Sequence, residues 1–174
     1  MSDASWNAAL AFVFSVEGGF TDDPVDPGGA TNLGITHDEL AKWRGRAVTI
    51  DDMRKLGKDE AAAIYRANYW AISRCSDLAP GVDLIVFDAS VNTGNGRSAR
   101  LLQAALGVAV DGQIGPVTVA AANAVRADDL VNALADARQN FYQNLPTFSH
   151  FGRGWTARVV AARAAALALV TVPA

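Results

Sequence analysis

The chain has 174 residues, of which 51% are hydrophobic and 19% charged, and its net charge is −3. This composition predicts one compact domain with a sizeable core and argues against a disordered chain. The charge is uneven, because residues 1–96 carry 8 Lys and Arg against 14 Asp and Glu, whereas residues 97–174 carry 7 Arg against 4 Asp. An excess of three positive charges is too small to predict nucleic-acid binding.

Cysteine and histidine usage argues against a disulfide and a metal centre. Cys75 is the single cysteine, so an internal disulfide is excluded. His37 and His150 lie far apart without ligand spacing, and the acids between residues 22 and 26 do not follow a calcium-loop pattern. We therefore expect neither a metal nor another cofactor.

The two apolar ends of the chain do not resemble membrane or export segments. Residues 8–16 follow no Lys or Arg and run into an acid, unlike a signal peptide. Residues 159–174 are interrupted by Arg163 and are too short to span a bilayer. We expect a protein made in the cytoplasm without a signal peptide and without stable membrane insertion.

In chain order, the sequence predicts mostly helices. Capping boxes at Thr36 and Thr49 each begin a helix. A hairpin-like region is predicted over residues 20–36, an aromatic loop over residues 148–155, and either a buried strand or a buried helix over residues 82–91. Helices are predicted over residues 4–17, 37–44, 58–70, 97–106, 117–126, 129–145 and 156–170, with a short helix ending near Gly57.

Glu17 lies where the first predicted helix ends. Gly18 and Gly19 follow it and are suited to stopping a helix. The helix dipole disfavours a carboxylate at this end, and partial burial against aromatic residues would disfavour it further. A Glu that stays protonated near neutral pH can act as a general acid, whereas the alternative is a solvated Glu at a helix terminus.

A second carboxylate and a hydroxyl follow Glu17 at short spacing. Asp26 comes nine positions later and Thr31 five positions after that. The prolines and glycines of residues 24–29 predict a tight reversal, which would place both side chains across a cleft from Glu17. Two carboxyl groups in different environments are the working groups of glycoside hydrolysis.

Several motifs together resemble one enzyme family. They are EGGF at Glu17, DPGGAT at Asp26, GIT at Gly34 and FDASVNTG at Phe87. In this order they resemble the glycoside hydrolase family 108 lysozymes, which are N-acetylmuramidases of phage endolysins and bacterial secretion-activator proteins. DGQIGPVT at Asp111 is similar to an element of peptidoglycan-binding modules, so the resemblance covers nearly the whole chain.

The resemblance implies a mainly α, lysozyme-like fold with a small β-hairpin region after the first helix. Residues 1–96 would form the catalytic half and residues 97–174 a helical, peptidoglycan-binding-like half packed into the same globular domain. Residues 82–91 would then be the central buried helix.

The resemblance also implies a lysozyme that cuts the β-1,4 bond between N-acetylmuramic acid and N-acetylglucosamine. Glu17 would protonate the glycosidic oxygen. Asp26 would stabilise the oxocarbenium-like transition state or position the attacking water, which Thr31 would help to hold. Asp22 or Asp23 could replace Asp26, because all three lie in the same turn region.

Further residues are candidates for substrate binding. Asn92, in the family-like motif, is a candidate for holding an N-acetyl group or a water, or else simply ends a helix. Tyr69 and Trp70 could line a sugar groove or pack in the core. The remaining candidates, which come from the DGQIGPVT element and the aromatic run, are Asp111, Thr118 and Trp155.

Peptidoglycan is the expected partner, and the enzyme would act as a monomer in the periplasm or on the cell wall. Release would depend on a holin-type pore. The alternatives are a module that binds peptidoglycan without cutting it and a secretion helper that uses the same chemistry to remodel the wall.

Overall fold

The structure is a computed structural model that describes residues 3–22 and 29–170. Within these residues the chain is mainly helical with one small hairpin, as the sequence predicts. The α-helices are α1 (Asp3–Val16), α2 (His37–Arg44), α3 (Ile50–Arg54), α4 (Lys58–Tyr65), α5 (Val82–Thr93), α6 (Asn95–Leu106), α7 (Pro116–Ala124), α8 (Ala127–Gln143) and α9 (Phe148–Val170). A π-helical segment, Arg66–Trp70, continues α4, and a 3₁₀ turn, Cys75–Asp77, precedes α5. None of the helices in the described ranges is long and apolar enough to cross a membrane.

The hairpin consists of β1 (Thr31–Asn32) and β2 (Ile35–Thr36), paired antiparallel with Thr31 opposite Thr36. Its two turn residues, Leu33 and Gly34, have φ values of 51° and 75°. Positive φ at both central positions is characteristic of tight two-residue hairpins. Thr36 also begins α2, because its hydroxyl and the Glu39 side chain form the predicted capping box. The hairpin is therefore joined rigidly to the helix that follows it.

Helix α5 is the centre of the molecule. Residues 82–90 are all buried, and α1, α6, α8 and α9 pack around them. A helix enclosed on all sides needs apolar side chains around its whole circumference, which explains why periodicity alone does not distinguish it from a strand. Helices α8 and α9, from the second half of the chain, thus pack on a helix from the first half.

Helix α9 differs from the prediction for the C-terminal region. The predicted aromatic loop over residues 148–155 is wrong, because α9 already begins at Phe148. Gly152 permits this start, since a Cβ there would lie 2.7 Å from ring atoms of Phe148. The helix is also not buried all round. Val159, Ala162 and Ala166 face the core, whereas Val160 is 63% exposed.

Candidate active site

Glu17 lies directly beyond the end of α1, and its backbone N–H donates to the Val13 carbonyl at 2.9 Å. Its side chain packs against the hairpin turn. A Cβ on Gly34 would lie only 2.8 Å from Glu17 Cγ and even closer to the hydroxyl of Tyr65. A hairpin lies beside the end of the first helix, as expected, but its turn is at Leu33 and Gly34, where glycine is required for space as well as for φ. The reversal predicted over residues 24–29 falls almost entirely outside the described residues.

Arg158 is the charged partner of Glu17. Its Nη1 lies 2.7 Å from Glu17 Oε1, although the two residues are 141 positions apart in the chain. The pair is largely enclosed, with 12% of the Arg158 side chain and 20% of the Glu17 side chain exposed. A guanidinium at this distance stabilises the ionised carboxylate, in opposition to the helix dipole. No local motif in the sequence indicates this cation.

Arg158 is itself held by a second carboxylate, Asp88, which is fully buried on α5. Arg158 Nε donates to Asp88 Oδ1 at 2.9 Å, and Nη2 lies 2.8 Å from the same oxygen without an aligned hydrogen bond. The other Asp88 oxygen accepts from Arg138 Nη1 at 2.5 Å. Two carboxylates thus alternate with two guanidiniums, and this pairing compensates the cost of burying the charges.

The network continues from Arg138 to two of the predicted substrate residues. Arg138 Nε donates to the hydroxyl of Tyr142 at 2.9 Å, and Arg138 Nη2 donates to Asn92 Oδ1 at 3.3 Å. The Tyr142 hydroxyl also donates to Asn92 Oδ1. The Tyr142 ring stacks on Trp155 with centroids 5.1 Å apart. Asn92 and Trp155 are therefore linked through direct contacts to the residues that hold Glu17.

A groove of about 480 Å³ opens between the end of α1, the end of α5 and α9. This volume lies within the range typical of small-molecule sites. Seven residues line it: Val16, Asn92, Gly154, Trp155, Ala157, Arg158 and Ala161. The residue before Glu17 and the cationic partner of Glu17 both belong to this lining, so the groove lies next to the Glu17–Arg158 pair.

Two tyrosines lie on the hairpin side of Glu17. The Tyr65 hydroxyl donates to the Leu33 carbonyl at 2.9 Å, and the Tyr69 hydroxyl donates to Glu39. Burial raises the pKa of both phenols, and the charge of Glu17 raises both further. Both side chains therefore remain neutral hydrogen-bond donors. Tyr69 is half-buried beside Glu39, a carboxylate that the sequence predicts as part of a capping box and not as part of the site.

The catalytic role of Glu17 and the identity of the second carboxylate both remain predictions. Asp26 and Asp23 lie outside the described residues, and Asp22 is exposed. Thr31 is half-buried in β1, and its backbone exchanges two 2.9 Å hydrogen bonds with Thr21. The backbone of Thr31 is therefore held in the same hairpin whose turn contacts Glu17.

Trp70 does not fit the predicted role in a sugar groove. It is 4% exposed and makes edge contacts with Trp6 and Phe87, at centroid distances of 5.2 and 5.4 Å. Its ring N–H donates to Ser76 Oγ at 2.8 Å. The Trp70 ring is buried in the core, and neither of its faces is accessible to a sugar.

Asp111 and Thr118 lie in a different cleft, of about 330 Å³, which shares no lining residue with the groove. Gln103 Nε2 donates to Asp111 Oδ1 at 2.7 Å and to the buried hydroxyl of Thr118 at 3.3 Å. The Gln103 bond and the backbone N–H of Gln113 lower the pKa of Asp111. These contacts brace the α6–α7 corner, which is the structural role that its glycines and proline also indicate.

Among residues 3–22 and 29–170, no three His, Cys, Asp or Glu side chains come together in a group that could hold a metal ion. Cys75 is buried, and burial raises the pKa of its thiol. A thiol in this state is a poor nucleophile.

Comparison with known proteins supports the motif analysis. Residues 10–94 match the model of glycosyl hydrolase 108, and residues 97–160 match a predicted peptidoglycan domain. A solved structure of SagA from Brucella abortus is 43% identical, covers 98% of each chain and superposes with a TM-score of 0.89. Among curated proteins there is no match.

The chain belongs to the glycosyl hydrolase 108 family. It is therefore a glycoside hydrolase of the lysozyme-like kind, with a peptidoglycan domain as its second half. The site described above crosses the boundary between the two matched segments. Glu17 and Asp88 belong to the first segment, and Arg138 and Arg158 to the second. Neither half of this family member contains the whole network.

Arg138 and Arg158, which the sequence-based predictions did not include, each have a sequence position that indicates a buried partner. Arg138 falls on the apolar face of α8, four residues after Leu134 and four before Tyr142, all of them buried. Arg158 lies on α9 four and eight residues before the buried Ala162 and Ala166, on the same side of the helix. An arginine on a core-facing stripe indicates a buried partner, because an unpaired charge there is very costly.

Proposed function

We propose that the enzyme is an N-acetylmuramidase that cuts the β-1,4 bond between N-acetylmuramic acid and N-acetylglucosamine, with Glu17 as its general acid. The observation that carries this proposal is the pairing of Glu17 with Arg158 at the end of a groove of about 480 Å³. Family membership supplies the reaction class, and the peptidoglycan domain supplies the polymer.

In this mechanism, protonated Glu17 donates its proton to the glycosidic oxygen as the bond to the sugar breaks. A carboxylate then forms 2.7 Å from Arg158 Nη1. The guanidinium stabilises that developing charge and, because Asp88 holds it in place, needs little reorganisation. Arg158 therefore stabilises the carboxylate that the proton transfer leaves behind.

A second group must act on the sugar ring or the water. We assign this role to Asp26, with Asp22 and Asp23 as alternatives, and propose that Thr31 helps to hold the water. All four residues lie in the segment between α1 and β2. The separation of the two carboxyl groups would determine whether the enzyme retains or inverts configuration.

The test is a paired digestion of purified peptidoglycan by the wild type and Glu17→Gln, with mass spectrometry of the soluble fragments. Glutamine keeps the side-chain shape and an acceptor for Arg158 but carries no transferable proton. We expect the wild type to release fragments that end in reducing N-acetylmuramic acid. We expect Glu17→Gln to be slower by roughly 10²- to 10⁴-fold, the usual contribution of a general acid.

Asp59→Asn, an exposed carboxylate on α4, is the matched control and should digest at the wild-type rate. Equal release by wild type and Glu17→Gln would mean that another residue is the acid. If neither protein releases fragments while both sediment with the wall, the chain is a binding module and the enzymatic proposal fails.

A further inference from the structure

Tyr69 is the more accessible of the two tyrosines on the hairpin side of Glu17. Tyr65 is fully buried, and its hydroxyl donates to the Leu33 carbonyl at 2.9 Å. Tyr69 is half-buried, and its ring centroid lies 5.8 Å from that of Tyr65. The charge of Glu17 contributes to the raised pKa of both phenols, so both lie near it. A ligand that reaches Glu17 from the hairpin side therefore meets Tyr69 rather than Tyr65.

The backbone that carries Tyr69 departs from an ordinary α-helix. The segment Arg66–Trp70 is π-helical, and the N–H of Ala71 donates to the Arg66 carbonyl, five residues earlier, at 2.9 Å. Single π-helical turns that interrupt or extend α-helices are rare and are frequently found at functional sites. The backbone thus gives an indication of function that is independent of the tyrosine side chain.

Glu39 determines the direction of the Tyr69 hydroxyl. Glu39 Oε2 accepts from the backbone N–H and the hydroxyl of Thr36, both at 3.1 Å, and these bonds belong to the capping box of α2. Glu39 Oε1 accepts from the Tyr69 hydroxyl, 30 positions along the chain. Because a carboxylate only accepts hydrogen bonds, the Tyr69 proton points to Glu39, and the phenol oxygen presents its lone pairs elsewhere. Donation to a carboxylate also polarises the hydroxyl and makes its oxygen a stronger acceptor.

We propose that the Tyr69 oxygen accepts a hydrogen bond from a hydroxyl group of the bound glycan, and that Glu39 is the positioning residue that makes this oxygen an acceptor. A hydroxyl whose proton is already bonded to Glu39 pairs with a donor and not with another acceptor. The inference rests on the proposed function and adds a glycan contact on the hairpin side of Glu17. This contact is separate from the groove beside α9, whose lining does not include Tyr69.

A role of Glu39 in capping alone does not explain its bond to Tyr69. The capping box at Thr49 shows a cap carboxylate without such a partner. Asp52 accepts from the backbone N–H and the hydroxyl of Thr49 at 2.9 and 3.1 Å, and otherwise pairs with two arginines. The helix start therefore needs one carboxylate oxygen, and the bond between Glu39 Oε1 and Tyr69 is additional to it.

Glu39→Gln separates the two roles. The backbone N–H of Thr36 is a fixed donor, so the glutamine oxygen has to take the place of Oε2, and the amide nitrogen then faces Tyr69. The cap and the contact with Tyr69 are both retained. The direction of that contact is reversed, because the Tyr69 oxygen now accepts from the amide and turns its own proton away. If Glu39 only caps α2, this exchange should have little effect on glycan binding.

The experiment is a double-mutant cycle of Glu39→Gln and Tyr69→Phe in a Glu17→Gln background. Calorimetry would measure the binding of soluble glycan strands that have been prepared from peptidoglycan and freed of peptides. We expect each single exchange to weaken binding roughly tenfold, as for the loss of about one hydrogen bond. The double variant should bind no more weakly than Tyr69→Phe, because Glu39 acts through the Tyr69 hydroxyl. Asp52→Asn, the matched exchange in the other capping box, should bind like the parent.

This binding measurement does not depend on hydrolysis. Non-additive weakening supports the inference even if the wild type releases no reducing N-acetylmuramic acid, in which case only the proposed reaction fails. In an enzyme that hydrolyses the glycan, both exchanges should raise KM and leave kcat nearly unchanged. Three results overturn the inference: unchanged binding in either single variant, a further loss from Glu39→Gln in the Tyr69→Phe background, or no binding by the parent.

Discussion

Arg158 joins the carboxyl group of the proposed acid, Glu17, to the core, and its geometry is as important as its charge. One nitrogen contacts Glu17 while two others lie within 3 Å of Asp88 Oδ1. A lysine ammonium is a single point and cannot contact both carboxylates in this way. We expect Arg158→Lys to lower kcat roughly ten- to a hundredfold with little change in KM, because a misplaced acid reduces the rate more than binding. Steady-state hydrolysis of soluble glycan fragments would measure both constants.

Arg163→Lys provides a control on the same helix. Arg163 pairs with Asp136 near the surface and away from Glu17, so the same exchange there should leave kcat unchanged. Unfolding temperatures of both variants would show whether the fold is intact. A wild-type kcat for Arg158→Lys would show that the enzyme needs only a positive charge at this position.

At the scale of single residues, the sequence located the helix end at Glu17 but not the partners of its side chain. The double glycine after an apolar helix is a local signal, and it located the helix end correctly. The partner lies 141 residues away on α9, so it depends on how that helix packs on α1 and α5. Local spacing carries no information on that distance. The same reason explains why the predicted role of Trp70 does not fit the structure. Its burial depends on contacts with Trp6 and Phe87, which are distant in sequence, and not on the residues next to it in the chain.

At the scale of elements, the N-terminus of α5 contains a buried carboxylate that makes stability depend on pH. Asp83 Oδ1 accepts from the N–H groups of Gly81 and Leu84 at 2.9 and 2.7 Å, and Oδ2 accepts from the Ser5 hydroxyl. Burial raises the pKa of Asp83 despite these bonds. The folded protein therefore binds this proton more tightly than the unfolded chain does, and ionisation of Asp83 at higher pH costs stability.

Asp83→Asn should remove this dependence. Asparagine Oδ1 can accept both backbone bonds, and its Nδ2 can donate to Ser5. Because the folded-state pKa is raised, the Asp83 contribution is fully present below the ordinary Asp value of about 3.9 and is lost as the pH rises through the folded-state value. We expect similar unfolding temperatures for wild type and Asp83→Asn at the acid end, with Asp83→Asn becoming the more stable protein as the pH rises to 7. A variant that is less stable throughout would show that the hydrogen bonds outweigh the burial of charge.

The elements differ in how well the sequence predicted them, for physical reasons. The capping boxes at Thr36 and Thr49 are local interactions, and α2 and α3 begin directly after them. The sequence does not show whether residues 82–91 form a strand or a helix, because a fully enclosed element has no polar face. The start of α9 was missed because Gly152 and Gly154 resemble a loop in sequence. In the structure, one of these glycines makes room for the Phe148 ring.

At the scale of the whole molecule, the two halves predicted from the motifs share one core. The family models divide the chain between residues 94 and 97, close to the predicted division at 96. Helix α5 ends just before this boundary, yet it packs on α8 and α9 from the other side. The mainly helical fold class was predictable from composition and motifs. The sharing of α5 was not, because it depends on contacts between segments far apart in the chain.

We therefore expect residues 1–96 alone not to fold. Without the second half, α5 loses its cover, and buried Asp88 loses both Arg138 and Arg158. Removing one partner of a buried ion pair typically costs about 3–5 kcal/mol, which is comparable to the stability of a small domain. The fragment should show no cooperative thermal transition by circular dichroism and should release no fragments from peptidoglycan.

Mixing the two separately purified pieces, 1–96 and 97–174, tests whether the shared core is the reason. If α5 folds against α8 and α9, the mixture should regain a cooperative transition and a measurable part of the hydrolytic activity. The same mixture made with Arg158→Lys in the second piece should regain the transition but little activity, because the fold needs the helix while the acid needs the guanidinium. A cooperative transition in residues 1–96 alone would contradict this account and show that the catalytic half is a domain in its own right.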